Sequence, residues 1–499
     1  MAEPLALRDF FPPIEGWDSQ VPSDLDWHTL EGISIRPVYC KSERRWPHAF
    51  SHNGGLVRRD VQLSGASKAI EDGATALGLS ELPDGNALKD ELAGVPLEKV
   101  SLFLEGALAS AAGVERLMAC AKRLGVLPCD LHGAVAIDAK RPLADLTAGI
   151  QAARGTHLKT IHVDLVPWHQ AGATHVHELA FAIGLMADTF ARLDGRDVAH
   201  RLYFTVPVGP RYLIEIARLR ALRHLTMQVL AAFGIVDAPV FVQGVMSERY
   251  SNALDPDTHL ARLSLQHAAA AVGGCDVIHV GKNRLELNMQ LILQHEAKLN
   301  QSVDAAAGSW YIEVLTEKLG ANAWALFQEL DERGGFLKAQ AFAEELVLAA
   351  DSERRRLIGC GELPFVGVNK FPDPSAWPLY DSDAGRLASP FTALRSRVSA
   401  RGRRPVAYVL PCAQESVHTW VLRVLTCGGF ELADTMDASV DVVLAFSQAQ
   451  ATSVDGLVVI LVGEKILPAK SSEWPLLRAG QDMTAAATSI LDLIDVHPA

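Results

Sequence analysis

Long apolar runs are absent from this sequence. No segment approaches the roughly 20 consecutive apolar residues that span a bilayer, and the stretch Met1–Asp9 has no basic region leading into an apolar one. The chain is therefore expected to be neither membrane-embedded nor exported. Cysteine is scarce and unpatterned: the seven residues Cys40, Cys120, Cys129, Cys275, Cys360, Cys412 and Cys427 are odd in number and never form Cys-x-x-Cys. That disfavours a disulfide framework and structural zinc, and fits a reducing cytoplasm. Basic charge is short as well. Against 59 Asp and Glu stand 46 Lys and Arg, a formal net charge of -13, whereas a nucleic-acid binder concentrates Lys and Arg against phosphate. No nucleic-acid partner is expected, and the local run Arg401-Gly402-Arg403-Arg404 reads as a solvated turn ahead of a strand.

What is present is ample core material: 49% hydrophobic residues in 499, more chain than one core usually organises. Residues 1–60 are rich in Pro, Trp and charge without sustained periodicity, and read as an extended arm. Spaced aromatics such as Trp17, Trp27 and Trp46 would anchor such an arm to a surface, expected to be a partner's. Over residues 61–350 short β-branched runs alternate with amphipathic, Ala- and Leu-rich stretches. The strand candidates are Lys99–Leu104, Gly133–Asp138, Thr160–Leu165, Arg201–Val206, Val240–Val245 and Cys275–Val280. Strand-helix alternation of this kind implies parallel pairing, which a closed (β/α)8 barrel satisfies most commonly; a doubly wound open sheet is the second choice. Residues 351–400 break the pattern with five prolines, Pro364, Pro372, Pro374, Pro378 and Pro390, and read as a linker. Residues 401–499 carry three buried-strand runs, Val406–Leu410, Val440–Ala445 and Leu457–Val462, with helical stretches between and after them, enough for a flavodoxin-like α/β domain.

The segment Val303–Thr316, then Ala323-Trp324 and Glu332–Phe336, resembles the signature of the methylmalonyl-CoA mutase family. Glu215–Ala221, Ala269–Asp276 and Val366–Phe371 fit in order. The resemblance implies a (β/α) barrel joined to a cobalamin-binding flavodoxin-like domain, the architecture already read from the pattern. It further implies an isomerase that interconverts (R)-methylmalonyl-CoA and succinyl-CoA through an adenosylcobalamin radical, in some bacteria as a heterodimer of a large catalytic chain and a related small one.

This sequence is similar to the small chain in what it lacks. Catalytic chains carry Asp-x-His-x-x-Gly, in which His coordinates cobalt and Asp orients it; the corresponding Pro411–Trp420 has no Asp, and His418 does not stand in that motif. The strings Asp130-Leu-His132 and Asp257-Thr-His259 lack the Gly and lie in the barrel region. Where catalytic chains place a Tyr-His pair, Val166 and Pro167 stand here, and neither side chain can donate a hydrogen bond. His169, two residues on, reads as a capping or packing histidine. At a third position, where catalytic chains bring another substrate-facing Tyr, stands Arg58–Ser64. The ending Gly480–Met483 and Thr488–Val496 resembles that of small chains.

The resemblance therefore implies no catalytic, cofactor-binding or metal-binding residue in this chain, adenosylcobalamin held by a large-subunit partner, and a cytoplasmic heterodimer. Two other readings stay open: an active mutase on another acyl-CoA, and a free-standing acyl-CoA-binding regulatory protein. The chain is short after Val280, so a barrel element or loop is expected to be trimmed. Most alternating residues of the strand candidates are bulky, in either phase, so the barrel axis is expected to be closed.

Overall fold

The computed structural model describes residues 26–36, 39, 56–61, 63–81, 94–193, 196–235, 238–281, 284–299, 304–373, 375–376, 378, 385–437, 439–454, 458–463 and 475–496. Most of the arm, including Trp17 and Trp46, lies outside the described residues. The chain divides into two compact units. The first comprises Met1–His169, Ala173–Met246 and Leu265–Val347; the second comprises Gln170–Gly172, Ser247–Ser264 and Leu348–Ala499.

The first unit opens with a small antiparallel hairpin, β1 (Trp27–His28) and β2 (Ser34–Ile35). Its main sheet has nine parallel strands: β3 (Leu56–Asp60), β4 (Ala76–Leu79), β5 (Ser101–Leu104), β6 (His132–Val135), β7 (His157–Lys159), β8 (Ile161–Asp164), β9 (Leu202–Val208), β10 (Val242–Met246) and β11 (Val277–His279). Their order is β7-β6-β5-β4-β3-β11-β10-β9-β8. Only Thr160 separates β7 from β8, so the two ends of this order are halves of one bent stave, the first half paired to β6 and the second to β9. The sheet is thereby closed into a barrel of eight staves. Expected trimming after Val280 spares the last of them: β11 is intact and the helix Arg284–His295 begins three residues after Gly281.

Side chains of alternate strand residues part into two environments, as the period of two requires. Val57, Leu77, Leu102, Leu104, Val135, Ile161, Val163, Phe204 and Val242 face outward into the main core, shared with the surrounding helices. The inward set forms a separate cluster: Ala76, Phe103, Ala134, Tyr203 and Val277, with Leu56 and Phe241 against it. Among the helices, His175–Arg192 starts from a capping box in which Thr174 accepts from the His177 N–H. Tyr212–Ala232 and Trp310–Glu332 pack against each other and against His175–Arg192.

The second unit holds a parallel five-stranded sheet: β12 (Val406–Val409), β13 (Glu431–Leu432), β14 (Val442–Ala445), β15 (Val458–Gly463) and β16 (Leu476–Arg478), ordered β13-β12-β14-β15-β16. That is the flavodoxin-like order. Its central strands are apolar on both faces, as parallel strands between helix layers are. Val442, Leu444, Ile460 and Val462 face the helices Ser389–Ala400, Glu415–Gly428 and Met483–Val496, whereas Val443, Ala445, Val459 and Leu461 face Ala451 and Val454. The stretch read as a linker thus contributes a core element. In Ser389–Ala400 the side chains of Phe391, Leu394 and Val398 are buried, and Arg395 donates to the carbonyls of Thr426 and Cys427. Among the described residues no helix is long and apolar enough to cross a membrane.

Candidate functional site

Barrel enzymes do their chemistry at the C-terminal ends of the strands, and here β3 delivers Arg58 to the axis. Its guanidinium, 1% exposed, donates from Nη1 to Gln243 on β10 (2.9 Å) and from Nη2 to Asp60 (3.0 Å), and pairs with Glu105 at the end of β5 (2.7 Å). It lies over the Phe103 ring at 4.8 Å. The amide of Gln243 reaches Thr205 on β9 (3.5 Å), whose hydroxyl is 2.8 Å from His162 Nε2 on β8. His162 in turn stacks on Tyr203, with ring centroids 4.4 Å apart. Side chains from five strands therefore span the axis. Gly78 on β4 makes room for them, since a Cβ there would lie 1.9 Å from Asp60 Oδ1 and 2.7 Å from Arg58 Nη2.

The axis was expected to be filled by bulk, with the inward phase undecided. It is filled by charge as well as by rings, with Phe103 and His162 pointing inward rather than Leu102, Leu104, Ile161 or Val163. Burial and the nearby Arg58 charge push the His162 imidazole down to about 3, so it is neutral in the barrel. Burial lifts the Tyr203 phenol well above its usual range. At the C-terminal mouth, burial works against the Asp60 carboxylate, but His279 (2.8 Å) and Arg58 outweigh it and hold Asp60 well below the ordinary carboxylate range. Asp164 goes the other way: burial, reinforced by Asp138 and Glu105, lifts it to about 6 despite a hydrogen bond donated by the Val166 N–H.

The positions singled out by the sequence fall as follows. Arg58–Asp60 belongs to the first barrel stave. Val166 and Pro167 open the short helix Val166–Ala171. His169 is buried and turned to Glu178, with Nδ1 2.7 Å from Oε1. It begins a buried chain of alternating charge. Glu178 pairs with Arg218, Arg218 with Glu215 (2.5 Å), Glu215 with His175 (3.1 Å), and His175 with Glu31 (3.0 Å), beside which stands Arg211 (3.6 Å). Arg218 also donates to the Pro207 carbonyl, and Glu215 accepts from the Gly209 N–H. Sequence reasoning missed this chain and Arg58. A legible signal existed for the first: Glu215 and Arg218 sit in a helix whose neighbours Ile214, Ile216, Ala217 and Leu219 are apolar all round, which leaves charges there nowhere to go but inward.

His132 is exposed at the start of β6 and stacks on His157 (4.9 Å); Asp130 lies in the turn before it, and Asp257 and His259 lie in the first turns of the helix Pro256–Val272. Beside His132 a cavity of about 860 Å³ opens at the N-terminal mouth of the barrel, lined by Ser101, His157, Lys159, Arg201 and Phe241 among others. Burial and the nearby Arg201 pull the Lys159 ammonium down to about 8.

The second unit can be tested against cobalamin at the C-terminal edge of its sheet. Residues 410–414 link β12 directly to the helix Glu415–Gly428. The Cys412 thiol bonds the Gln414 carbonyl (3.4 Å), and Gln450 bridges the edge, donating to the Pro411 carbonyl and accepting from the Phe446 N–H, both at 2.8 Å. His418 lies on the helix, half-buried against the Phe446 ring. Among the described residues no imidazole-carboxylate pair stands at this edge, so they do not fit a cobalt ligand. Among the described residues no group of three or more His, Cys, Asp or Glu is placed to hold a metal ion.

The family model described as methylmalonyl-CoA mutase matches residues 84–406. The chain is similar to the methylmalonyl-CoA mutase small subunit of Porphyromonas gingivalis, 25% identical over 85% of this chain and 84% of that protein. It is likewise similar to the methylmalonyl-CoA mutase small subunit of Streptomyces virginiae, 25% identical over 89% and 84% of the two chains. The methylmalonyl-CoA mutase of Rhizobium meliloti is 26% identical over 72% of this chain and 63% of that protein.

Proposed function

The chain belongs to the methylmalonyl-CoA mutase family, and from that premise we propose that it is the small, non-catalytic subunit of a heterodimeric mutase. In this reading a large subunit holds adenosylcobalamin and interconverts (R)-methylmalonyl-CoA and succinyl-CoA by a radical route, in the cytoplasm. The present chain supports it by association, its N-terminal arm being the proposed contact. The observation that carries the reading is the filled barrel axis, where Arg58, Phe103, Gln243, Thr205, His162 and Tyr203 occupy the space a pantetheine chain would thread. Val166 and Pro167 in place of hydrogen-bonding side chains, and the missing cobalt ligand, support it independently.

The test is purification of the chain alone and together with a co-expressed large subunit. Alone it should carry no stoichiometric cobalamin spectrum and turn over no methylmalonyl-CoA, while the pair should copurify and be active. Stoichiometric cofactor in, or turnover by, the isolated chain would sink the reading.

A second reading, an acyl-CoA-binding regulatory protein, is favoured by one feature, the basic cavity lined by His132, His157, Lys159 and Arg201. Acyl-CoA retained by the isolated chain, without turnover and without a copurifying large subunit, would select it.

A further inference from the structure

The β1–β2 hairpin is a two-stranded sheet of its own, separate from the barrel sheet. Such a pair is marginal unless something holds it. Its turn is closed by hydrogen bonds between Thr29 and Ile33 (3.0 Å) and from Gly32 to Thr29 (3.1 Å), with Gly32 in the left-handed region at φ 71°. Glu31 stands on that turn. A carboxylate at a hairpin tip belongs in water, because burying it unpaired is costly. Here its side chain is 2% exposed, 3.0 Å from His175 Nδ1 and 3.6 Å from Arg211. The other nitrogen of the same imidazole is held by Glu215, so His175 is clamped between two carboxylates.

The rest of the segment is held by apolar packing and one lysine. Ile33, Ile35 and Tyr39 are buried, Tyr39 meets Tyr311 edge-on at 5.5 Å, and Lys318 donates to the Ser34 carbonyl (2.8 Å) and to the Tyr39 hydroxyl (3.2 Å). Both latch partners stand on the segments that follow C-terminal strand ends. His175 begins the long helix that follows β8, and Arg211 lies three residues beyond β9. These are the segments on which the fold carries function.

We propose that residues 26–36, with Tyr39, are a strap, latched to the barrel by Glu31 between His175 and Arg211, which pins the segments following β8 and β9 and lifts off as a unit when the latch loses its charge. The groups facing the latch are Glu31, His175, Arg211 and Glu215, then Arg218, Glu178 and His169 along the buried chain; Lys318, Tyr39, Tyr311 and Asp26 lie along the strap itself. Against the opposing effect of burial, the two carboxylates raise His175 and the two cations lower Glu31. Both shifts favour the charged forms of the latch. The latch weakens as pH falls through the Glu31 value or rises through that of His175.

Hydrogen exchange of the full chain, read by mass spectrometry, tests this. Glu31→Gln keeps the shape and removes the charge. It should speed exchange of residues 26–36 at least tenfold while β3–β11 keep their protection, whereas Lys318→Met should speed the same residues by a smaller factor. Strap exchange within twofold of the parent would overturn the proposal. So would equal acceleration in the barrel strands, or failure of Glu31→Gln to fold, because the segment would then be core rather than strap.

Discussion

Along the barrel axis polar atoms are many and bond mostly to one another, side chain to side chain across five strands; at the C-terminal edge of the second unit's sheet they are few and bond to backbone. Both are places where the fold and family would lead one to look for chemistry. In the barrel the space is taken by residues that satisfy each other, so every change there disturbs partners. In the sheet edge the described residues hold no such donor set, so changes there have little to disturb. The two cases predict opposite responses to mutation.

The sharpest contrast comes from Arg58. Truncating it in Arg58→Met leaves Gln243 and Glu105 without the guanidinium and Asp60 with His279 alone; because both carboxylates are partly exposed, the loss should fall at the lower end of the roughly 3–5 kcal/mol that breaking a buried pair costs. Chemical denaturation should register a loss of that order in the barrel. A loss below about 1 kcal/mol would mean that the axis is wetter and looser than its geometry. Next in size is Gly78→Ala, whose added methyl meets Asp60 Oδ1 at 1.9 Å. Overpacking of this kind typically costs about 1–3 kcal/mol, and Asp60→Ala should relieve part of it. Additive losses in that pair would separate Gly78 from the cluster.

The mouth of the barrel supplies a comparison within itself. Asp60 is depressed, so its contribution is present above the unfolded carboxylate value and is lost as pH falls. Asp164 is raised to about 6, so between the unfolded value and 6 the folded state binds more protons, and stability falls as pH rises through that window. Asp164→Asn removes this penalty while its side-chain oxygen can still accept from the Val166 N–H. Relative to the parent, Asp164→Asn should gain on the order of 1–3 kcal/mol between pH 4 and pH 7. A gain that runs in the reverse direction would show Asp164 paired rather than merely buried.

The same contrast explains what could be read from sequence. Of the barrel strands, β5, β6 and β8 to β11 announced themselves through β-branched runs whose outward residues meet helices, whereas β7 was not read. The first two staves did not announce themselves. Leu56-Val-Arg-Arg-Asp60 puts charge where a strand reading wants apolar residues, and Ala76-Leu-Gly-Leu79 is short with a glycine inside; both owe their form to the polar cluster they build. In the second unit the three central strands β12, β14 and β15 were legible because both faces of the sheet are apolar there, whereas the edge strands β13 and β16 were not read. The arm was read as lying on a partner. Its described residues, 26–36 and 39, pack on their own barrel, with Ile33, Ile35 and Tyr39 in its core, so deletion through residue 40 would remove core contacts as well as any interface. No periodicity reports that, because the decisive group, Glu31, is a charge at a turn.

The smallest expected effect belongs to the sheet edge. Pro411→Asp combined with Ala413→His writes the Asp-x-His string into the segment between β12 and its helix, at exposed positions where substitutions usually move stability by no more than about 0.5 kcal/mol. Neither change moves Gln450, which ties the Pro411 carbonyl to the Phe446 end of β14 and keeps the edge shut. A ligand alone does not make a site; the space and the supporting hydrogen bonds must be there too. The double variant should therefore fold as the parent does and show no cobalamin spectrum after incubation with cofactor. Adding Gln450→Ala, which cuts the tie, should raise cofactor uptake more than either ligand change does. Stoichiometric cobalamin in the double variant would mean that the edge lacks only its donors, and the distinction between a filled site and an emptied one would then rest on the barrel alone.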